Sequence, residues 1–212
     1  MQMIFVVYEG MTALDAIGPY EILSRLPGAQ VTFAGVTAGP VRADTGALTL
    51  VADRALADCG SPDLVLVPGG PDVRAQTTDT ALHDWLRAVD PGTTWMTSVC
   101  TGSLILAAAG LLRGRTATSH WLALDRLPAY GVTPVAERVV RDGKYVTGAG
   151  VSAGIDLALT LAGTVAGPAV AQSIQLATEY DPRPPFTAGS PGSAPPALVS
   201  HLRANAHLVM ST

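Results

Sequence analysis

Charge of either sign is scarce in this chain, and lysine is almost absent. Charged residues make up 14% of its 212 residues, the formal net charge is −4, and Lys144 is the single lysine. The arginines are scattered along the chain and form no basic stripe of the kind that contacts a phosphate backbone. We therefore expect no nucleic acid among its partners.

Cysteine is also rare, since Cys59 and Cys100 are the only two. Two cysteines this far apart do not form the dense framework of a small secreted protein, so we expect a reducing, cytoplasmic setting. The apolar N-terminus has no basic leader and predicts a strand rather than a signal peptide. The longest apolar stretch, 151–171, contains Asp156, three glycines and Pro168. It is more typical of a buried helix than of a membrane span, so no membrane partner is expected.

Short apolar strands alternate with helical patterns along the chain, and 48% of the residues are hydrophobic. The patterns predict strands at 3–8, 30–36, 63–67 and 93–99, and helices at 14–25, 81–88, 101–109, 151–165, 169–178 and 197–209. They also predict an antiparallel excursion over 41–51 and a hairpin over 138–147 that turns at Asp142-Gly143. This alternation predicts an α/β fold, a three-layer sandwich with a mostly parallel central sheet and helices on both faces.

One domain is expected over the whole chain, 1–212, because its length suits a single core and no internal boundary is visible. Residues 179–196 are rich in Pro, Gly and Ser and predict an irregular segment. We expect 179–212 to pack on the rest of the domain as this Pro-rich segment followed by a C-terminal helix.

Cys100 lies where a predicted strand meets a predicted helix, a position typical of a nucleophile. Such a turn is crowded and needs small residues two positions to either side, which Ser98 and Gly102 supply. The backbone N–H groups at the start of the following helix are expected to favour the thiolate over the thiol. The alternative is a buried cysteine that serves only as a small hydrophobic side chain.

A Pro-Gly-Gly-Pro sequence at 68–71 follows another predicted strand. In open α/β sheets, sites form beyond the carboxyl ends of the strands, where Cys100 is also expected. The backbone N–H of Gly70, together with that of Thr101, is a candidate two-donor pocket for developing negative charge. The alternative is a plain strand-ending turn. No G-x-G-x-x-G follows any predicted strand, which argues against a dinucleotide site.

Asp15 stands near the start of the first predicted helix, at the same edge of the sheet as Cys100. Aspartate is a preferred helix cap, so a structural role is one interpretation. Beside a thiolate, the carboxyl would have its pKa raised by the charge on sulfur and would share one proton with it. That arrangement places a general acid/base next to a nucleophile.

Several motifs taken together resemble the ThiJ/PfpI superfamily. They are L-D-x-x-G-P around Asp15, V-P-G-G around Gly70, T-S-V-C-T-G-S around Cys100, A-T-S-H-W around His120, E-R-V-V-R-D-G at 137–143, T-G-A-G-V-S-A-G-I-D at 147–156 and E-Y-D-P-R-P-P-F-T-A-G-S-P at 179–191. The turn around the cysteine and the Gly-Gly turn are shared across the superfamily. Asp15, where many members have Glu, combines with Cys100-Thr101 and the Pro-rich tail to make the chain most similar to the isonitrile hydratase group.

The resemblance implies a flavodoxin-like fold related to class I glutamine amidotransferases, a homodimer, and no metal or organic cofactor. It implies Cys100 as the nucleophile, Asp15 as the general acid/base and Thr101 close to both. The activity it implies is that of a lyase, which adds water to a small-molecule isonitrile through a thioimidate on Cys100 and releases an N-substituted formamide.

Four further residues complete the expected site and its surroundings. His120 aligns with a histidine that partners the cysteine in some superfamily members, and here we expect a supporting or structural role for it. Ile17 and Trp121 are expected to line the pocket for the organic substituent, under the Pro-rich segment. Cys59 falls in a predicted loop away from the site and is expected to be incidental.

Two other classes of function remain open on the sequence. One is another cysteine-dependent reaction of the superfamily, such as amide or peptide hydrolysis or glyoxalase or deglycase chemistry; those enzymes usually pair the cysteine with Glu or His, where this chain has Asp15. The other is a non-catalytic ligand-sensing domain related to those of helix-turn-helix regulators. The sequence contains no basic recognition helix, which disfavours that class.

Overall fold

The computed structural model describes residues 1–210 and contains a central sheet with helices on both faces. The strands are β1 (Gln2–Val6), β2 (Gln30–Gly35), β3 (Gly39–Arg42), β4 (Thr49–Ala52), β5 (Arg54–Ala55), β6 (Leu64–Val67), β7 (Trp95–Val99), β8 (Thr116–Ala117), β9 (Thr133–Pro134), β10 (Val139–Asp142) and β11 (Tyr145–Gly148). The helices are α1 (Ala13–Leu23), α2 (Thr80–Val89), α3 (Gly102–Ala108), α4 (Ala153–Ala166), α5 (Pro168–Ala177) and α6 (Pro196–Ala204). Short 3₁₀ turns occupy Leu56–Asp58, Asp90–Gly92, Leu124–Tyr130 and Ala206–Leu208.

Seven strands form the central sheet in the order β10-β11-β7-β6-β1-β2-β5. Every neighbouring pair is parallel except β10 and β11, which form the predicted hairpin through Asp142 and Tyr145. The predicted excursion is also present, as the separate antiparallel pair β3 and β4. The α/β sandwich with a mostly parallel sheet is therefore confirmed.

The sheet is buried on both faces, which explains why its strands are continuous apolar runs. Along β1, Met3 and Phe5 belong to the core on one face, while Ile4 and Val6 belong to the core on the other. The first core is closed by α1, α4 and α5, and the second by α2 and α3. All four residues of β6 are buried, as expected for the middle of such a sheet.

The order of the strands reverses at β1, because β2 lies on one side of it and β6 on the other. In open α/β sheets the crevice beyond the carboxyl ends of the strands at such a reversal is the usual ligand site. The loop after β1, the Gly-Gly turn after β6 and Cys100 after β7 all lie at this edge. The topology thus brings three distant parts of the chain together.

The helices and strands differ from the sequence prediction mainly where the hydrophobic pattern of the sequence is weak. The long apolar stretch is interrupted at Gly167-Pro168, which separates α4 from α5, and no helix within residues 1–210 is long and apolar enough to cross a membrane. The predicted helix 197–209 is wrong beyond Ala204: α6 ends there, Asn205 is non-helical, and a 3₁₀ turn follows. The two-residue strands β5, β8 and β9 were not predicted, since a pair of residues has no period.

The segment between α5 and α6 is irregular, as its composition predicts, and most of its side chains are exposed. Tyr180 holds its start to the body, because the phenol donates to Asp156 Oδ2 over 3.1 Å. Further along, residues 188–191 and α6 lie around the ring of Trp121. The single domain over 1–212 stays a prediction, and residues 211 and 212 lie outside the described part of the chain.

Candidate active site

Cys100 occupies a sharp turn between β7 and α3. Its φ is 59°, a left-handed conformation that is uncommon for a residue with a side chain. Its backbone N–H donates to Gly148 O and Ala149 O, both at 3.0 Å, which ties the turn to the end of β11. A Cβ on Gly102 would lie 2.2 Å from Val67 O, so the small residue predicted at this position is a steric necessity.

The sulfur of Cys100 is nearly enclosed, with 5% of the residue exposed. Burial and, to a smaller degree, the neighbouring charge of Asp15 raise the pKa of the thiol to about 12. The backbone N–H groups of Val151 and Thr101 oppose this by favouring the charged sulfur. The backbone N–H groups thus favour the thiolate, as the sequence predicts, but burial has the larger effect and the pKa of the thiol is raised overall. Val151 itself has a φ of 28°, a strained conformation for a β-branched residue.

Asp15 is fully buried beside the thiol and does not cap its helix. The N-cap residue, which precedes the first residue of α1, is Thr12, and its hydroxyl donates to Asp44 Oδ2 over 2.6 Å. Asp15 Oδ2 instead accepts the N–H of Gly69 over 2.9 Å. Its second oxygen, Oδ1, has no other hydrogen-bond donor among the described residues and is available to the Cys100 thiol. The capping interpretation is therefore wrong.

The carboxyl and the thiol form one coupled pair. Burial raises the pKa of Asp15 to about 7, against the lowering effects of the Gly69 N–H and the Cys100 thiol. The direction matches the sequence prediction, but the main cause is removal from water rather than charge on the sulfur. Because both pKa values are raised, that of Asp15 to about 7, the pair loses its first proton near neutral pH and then retains one, which the carboxyl and the sulfur share.

The Gly-Gly turn packs directly against the start of α3. A Cβ on Gly69 would lie 2.5 Å from Thr101 N, so only glycine permits this approach. The N–H of Gly70 donates to Thr101 Oγ1 over 2.9 Å, and that hydroxyl donates to Gly70 O over 2.7 Å. The prediction of Gly70 as a free donor beside Thr101 is therefore wrong, because the Thr101 hydroxyl already takes its N–H.

The residues predicted around the pocket separate into two places. His120 and Trp121 line a cavity of about 640 Å³, together with Val151 and the segment 189–192. Ile17 lines another cavity of about 300 Å³, between α1 and α4. Ile17 and Trp121 therefore do not share one cavity, contrary to the sequence expectation. The larger cavity includes Val151, whose backbone N–H faces the Cys100 sulfur.

His120 contacts the backbone around the site rather than the sulfur. Its Nδ1 accepts the N–H of Leu122 over 3.3 Å, and its ring packs so closely on Gly150 that a Cβ there would lie 2.6 Å from Cδ2. Burial lowers the pKa of the imidazole, which favours its neutral form. Its supporting role stays a prediction.

Cys59 lies far from these groups, near Gln2 and Ile4 at the amino end of β1. Its thiol is buried and donates to Ala55 O over 3.5 Å. Among residues 1–210, no three His, Cys, Asp or Glu side chains are grouped to hold a metal ion.

Sequence reasoning missed Tyr8, which the structure places at the same edge. The phenol is buried and donates to Pro68 O over 2.9 Å. Burial raises its pKa well above the ordinary value, and the charges of Asp15, Cys100 and Asp44 add to that effect. The one signal in the sequence is its place just after the first strand, on the same side as Asp15.

Comparison with known proteins gives a consistent picture. The model of the DJ-1/PfpI family matches residues 1–164. The isonitrile hydratase of Pseudomonas putida is 45% identical over 206 residues, covering 97% of this chain and 90% of that protein. A crystal structure of a ThiJ/PfpI family protein from Pseudomonas syringae superposes with a TM-score of 0.94 at 37% identity, covering 98% and 86% of the two chains. The helix-turn-helix regulator CdhR of Pseudomonas aeruginosa is 35% identical over 151 residues, 69% of this chain but 44% of the regulator.

Proposed function

The chain belongs to the DJ-1/PfpI family, and from that premise we propose that it is an isonitrile hydratase. The reaction adds water to an isonitrile and releases an N-substituted formamide, so the enzyme is a hydro-lyase. The observation that carries the proposal is the similarity to the Pseudomonas putida enzyme along nearly the whole chain, including the C-terminal part beyond the family model. The buried pair of Cys100 and Asp15 supplies a nucleophile and a proton carrier where such a reaction needs them.

The first step joins Cys100 to the substrate. Asp15 takes the proton of the thiol as the sulfur attacks the terminal carbon of the isonitrile, and then delivers that proton to the same carbon. The S–H bond is thus added across the carbon, giving a thioimidate, R–N=CH–S, on Cys100. Because Asp15 has a pKa of about 7, it can both accept and return a proton near neutral pH.

The second step releases the product. Asp15, again a carboxylate, removes a proton from water as the oxygen attacks the thioimidate carbon, and passes that proton to the nitrogen. The C–S bond of the resulting adduct, R–NH–CH(OH)–S, then breaks as its hydroxyl becomes the formamide carbonyl. Asp15 carries the proton of that hydroxyl to the leaving sulfur, which restores the thiol–carboxylate pair. The N–H groups of Val151 and Thr101, which face the sulfur, stabilise its charge as it leaves.

The organic substituent is assigned to the cavity of about 640 Å³ that His120 and Trp121 line. Its volume is within the range of small-molecule sites, and it reaches Val151 beside the sulfur. The segment 189–192 forms one wall, so the Pro-rich region helps to set which substituents fit.

A homodimer in the cytoplasm is part of the proposal. Leu176 and Phe186 are each 79% exposed, and Leu14 lies half-exposed beside Ile17 at the smaller cavity. Apolar side chains exposed to this degree favour burial against a second copy. Both cysteines are free thiols, which suits a reducing compartment.

A ligand-sensing role is the second candidate, because the regulator CdhR shares 35% identity with much of this chain. Sensing requires only that a ligand binds. The Cys100–Asp15 pair also offers a nucleophile and a group that can accept and return a proton, and these are needed only for catalysis. Amidase, glyoxalase and deglycase activities are further outcomes that the same assays can detect.

The test is incubation of the pure protein with an aryl isonitrile, followed by chromatography of the products. We expect catalytic formation of the aryl formamide, loss of it in Cys100→Ala, and activity within a few-fold of wild type in Cys59→Ala. Binding without product would favour the sensor, and activity lost only in the Cys59 variant would contradict the site.

A further inference from the structure

A hydrogen-bonded connection runs from Tyr8 to the carboxyl of Asp15 through a single peptide group. The phenol of Tyr8 donates to Pro68 O over 2.9 Å. The N–H of Gly69, which belongs to the same peptide group as that carbonyl, donates to Asp15 Oδ2 over 2.9 Å. Both hydrogen bonds are buried, where such contacts are stronger than in water and polarise one another.

The orientation of this peptide group decides whether Asp15 receives its hydrogen bond. A rotation about the bonds flanking the peptide would turn the Gly69 N–H away from the carboxyl. Glycine at 69 leaves its side of the peptide free of any restraint by a side chain. The Gly69 carbonyl is held by Thr12 N–H at 2.9 Å, and the Pro68 carbonyl is held by Tyr8. Tyr8 is thus the side chain that fixes the orientation of the Pro68–Gly69 peptide group.

Tyr8 is suited to this task because it remains a neutral donor. Burial and the charges of three titratable groups, Asp15, Cys100 and Asp44, all oppose a negative charge on the phenol. The groups that act on Asp15 itself are the Gly69 N–H, Cys100 and Asp44.

We propose that Tyr8 is a positioning residue, which holds the Gly69 N–H on Asp15 through the Pro68–Gly69 peptide and keeps that carboxyl turned toward the Cys100 thiol. Its part in turnover rests on the proposed hydratase function, while its effect on Asp15 does not. The hydrogen bond from Gly69 favours the carboxylate, so weakening it makes the carboxyl harder to ionise.

Tyr8→Phe tests the proposal, because it keeps the buried ring and removes only the hydroxyl. In the wild type, kcat/KM for an aryl isonitrile should rise with pH through about 7 as Asp15 ionises. In Tyr8→Phe the midpoint should move upward by roughly half to one pH unit, the size expected for a weakened hydrogen bond. The loss of activity should therefore be larger at pH 6 than at pH 8.5.

Tyr145→Phe is the matched control. Tyr145 is also buried, but its hydroxyl contacts Asp90 at 3.0 Å, at the opposite end of the sheet. Tyr145→Phe should retain the wild-type midpoint of kcat/KM against pH. Thermal unfolding of both variants shows whether a loss of activity comes from lost stability rather than from a shift of the pH profile.

A titration that needs no substrate distinguishes failure of this inference from failure of the proposed function. The carboxyl carbon of Asp15, assigned by its absence in Asp15→Asn, is followed by NMR against pH in wild type and Tyr8→Phe. A higher midpoint in Tyr8→Phe supports the proposal even if no isonitrile is hydrated. An unchanged midpoint overturns it, whatever happens to activity.

Discussion

At the scale of single residues, the central feature is a carboxyl kept away from water. Asp15 is fully buried, and its pKa is raised to about 7 chiefly by that burial. A carboxyl that ionises only near neutral pH can lose and regain a proton during a reaction, but it lowers the stability of the folded protein. Burial of Asp15 thus lowers the stability of the folded protein and, in return, gives a carboxyl that can transfer a proton near neutral pH.

Asp15→Asn should be more stable than wild type above pH 7. The folded pKa of Asp15 is higher than its unfolded value, so its contribution to stability is full below about pH 4 and is lost as pH rises to about 7. Asparagine does not titrate, so the variant avoids that loss, by as much as ~4 kcal/mol. Urea unfolding at pH 4, 6 and 8 measures the difference, which should grow with pH.

A stability difference that does not depend on pH would identify Asp15 as a structural residue. If Asp15 served mainly as a cap, Asp15→Asn would show little change at any pH, since asparagine caps about as well as aspartate. A variant equally stable at all three pH values would contradict the buried, titrating carboxyl.

At the scale of elements, the turn around Cys100 depends on the close approach of two strand ends. The turn after β6 and the start of α3 touch through their backbones, because Gly69 and Gly102 have no side chains. Helix α3 is fixed against the sheet by this contact, and the position of the sulfur follows from it.

Gly102→Ala should therefore destabilise the protein by at least roughly 2 kcal/mol, the usual size for forced overpacking. The new methyl would meet two backbone oxygens, Val67 O at 2.2 Å and Pro68 O at 2.8 Å, which cannot swing aside. Gly60→Ala is the control, since nothing lies within 4 Å of its Cβ position. Equal midpoints of thermal unfolding for the two variants would contradict the packing described for the turn.

Helices and strands could be predicted where the hydrophobic residues follow a clear period. They could not be predicted where tertiary contacts determine where an element ends. The strand at 64–67 and the helix at 80–89 follow from apolar runs and amphipathic spacing. Asn205 ends α6 early, although the pattern around it continues to favour helix.

The site shows the same division between local and long-range information. Cys100 and Asp15 could be identified from local sequence, because a strand-to-helix turn and a motif mark them. The engaged N–H of Gly70, the burial that raises the pKa of the thiol and the connection from Tyr8 could not be identified in this way. Each depends on a contact between residues more than 30 positions apart or on exclusion of water by the whole fold.

At the scale of the whole molecule, the C-terminal part lies beyond the match to the family model. The family model ends at residue 164, and the chain continues through α5, the Pro-rich segment and α6. We propose that this part belongs to the same domain, because residues 188–191 and α6 lie around Trp121 and residues 189–192 form one wall of the larger cavity.

Sedimentation should give the mass of a dimer, with the Pro-rich segment protected from protease. Phe186 and Leu176 are highly exposed in one copy, and burial against a second would order the segment that carries Phe186. Phe186→Ser should leave the core intact but weaken association. A stable monomer that is cut rapidly between 181 and 195 would contradict both the dimer and the wall of the cavity.

Rapid-quench mass spectrometry of the protein mixed with excess aryl isonitrile detects the thioimidate on Cys100 itself. We expect a transient adduct on the peptide that contains Cys100, heavier by the full mass of the isonitrile because S–H adds across its carbon. Asp15→Asn should form and release this adduct at least ~10²-fold more slowly, the usual range for a lost acid/base. Two results would contradict this mechanism. One is formamide production at the normal rate with no adduct on Cys100, and the other is unimpaired turnover in Asp15→Asn.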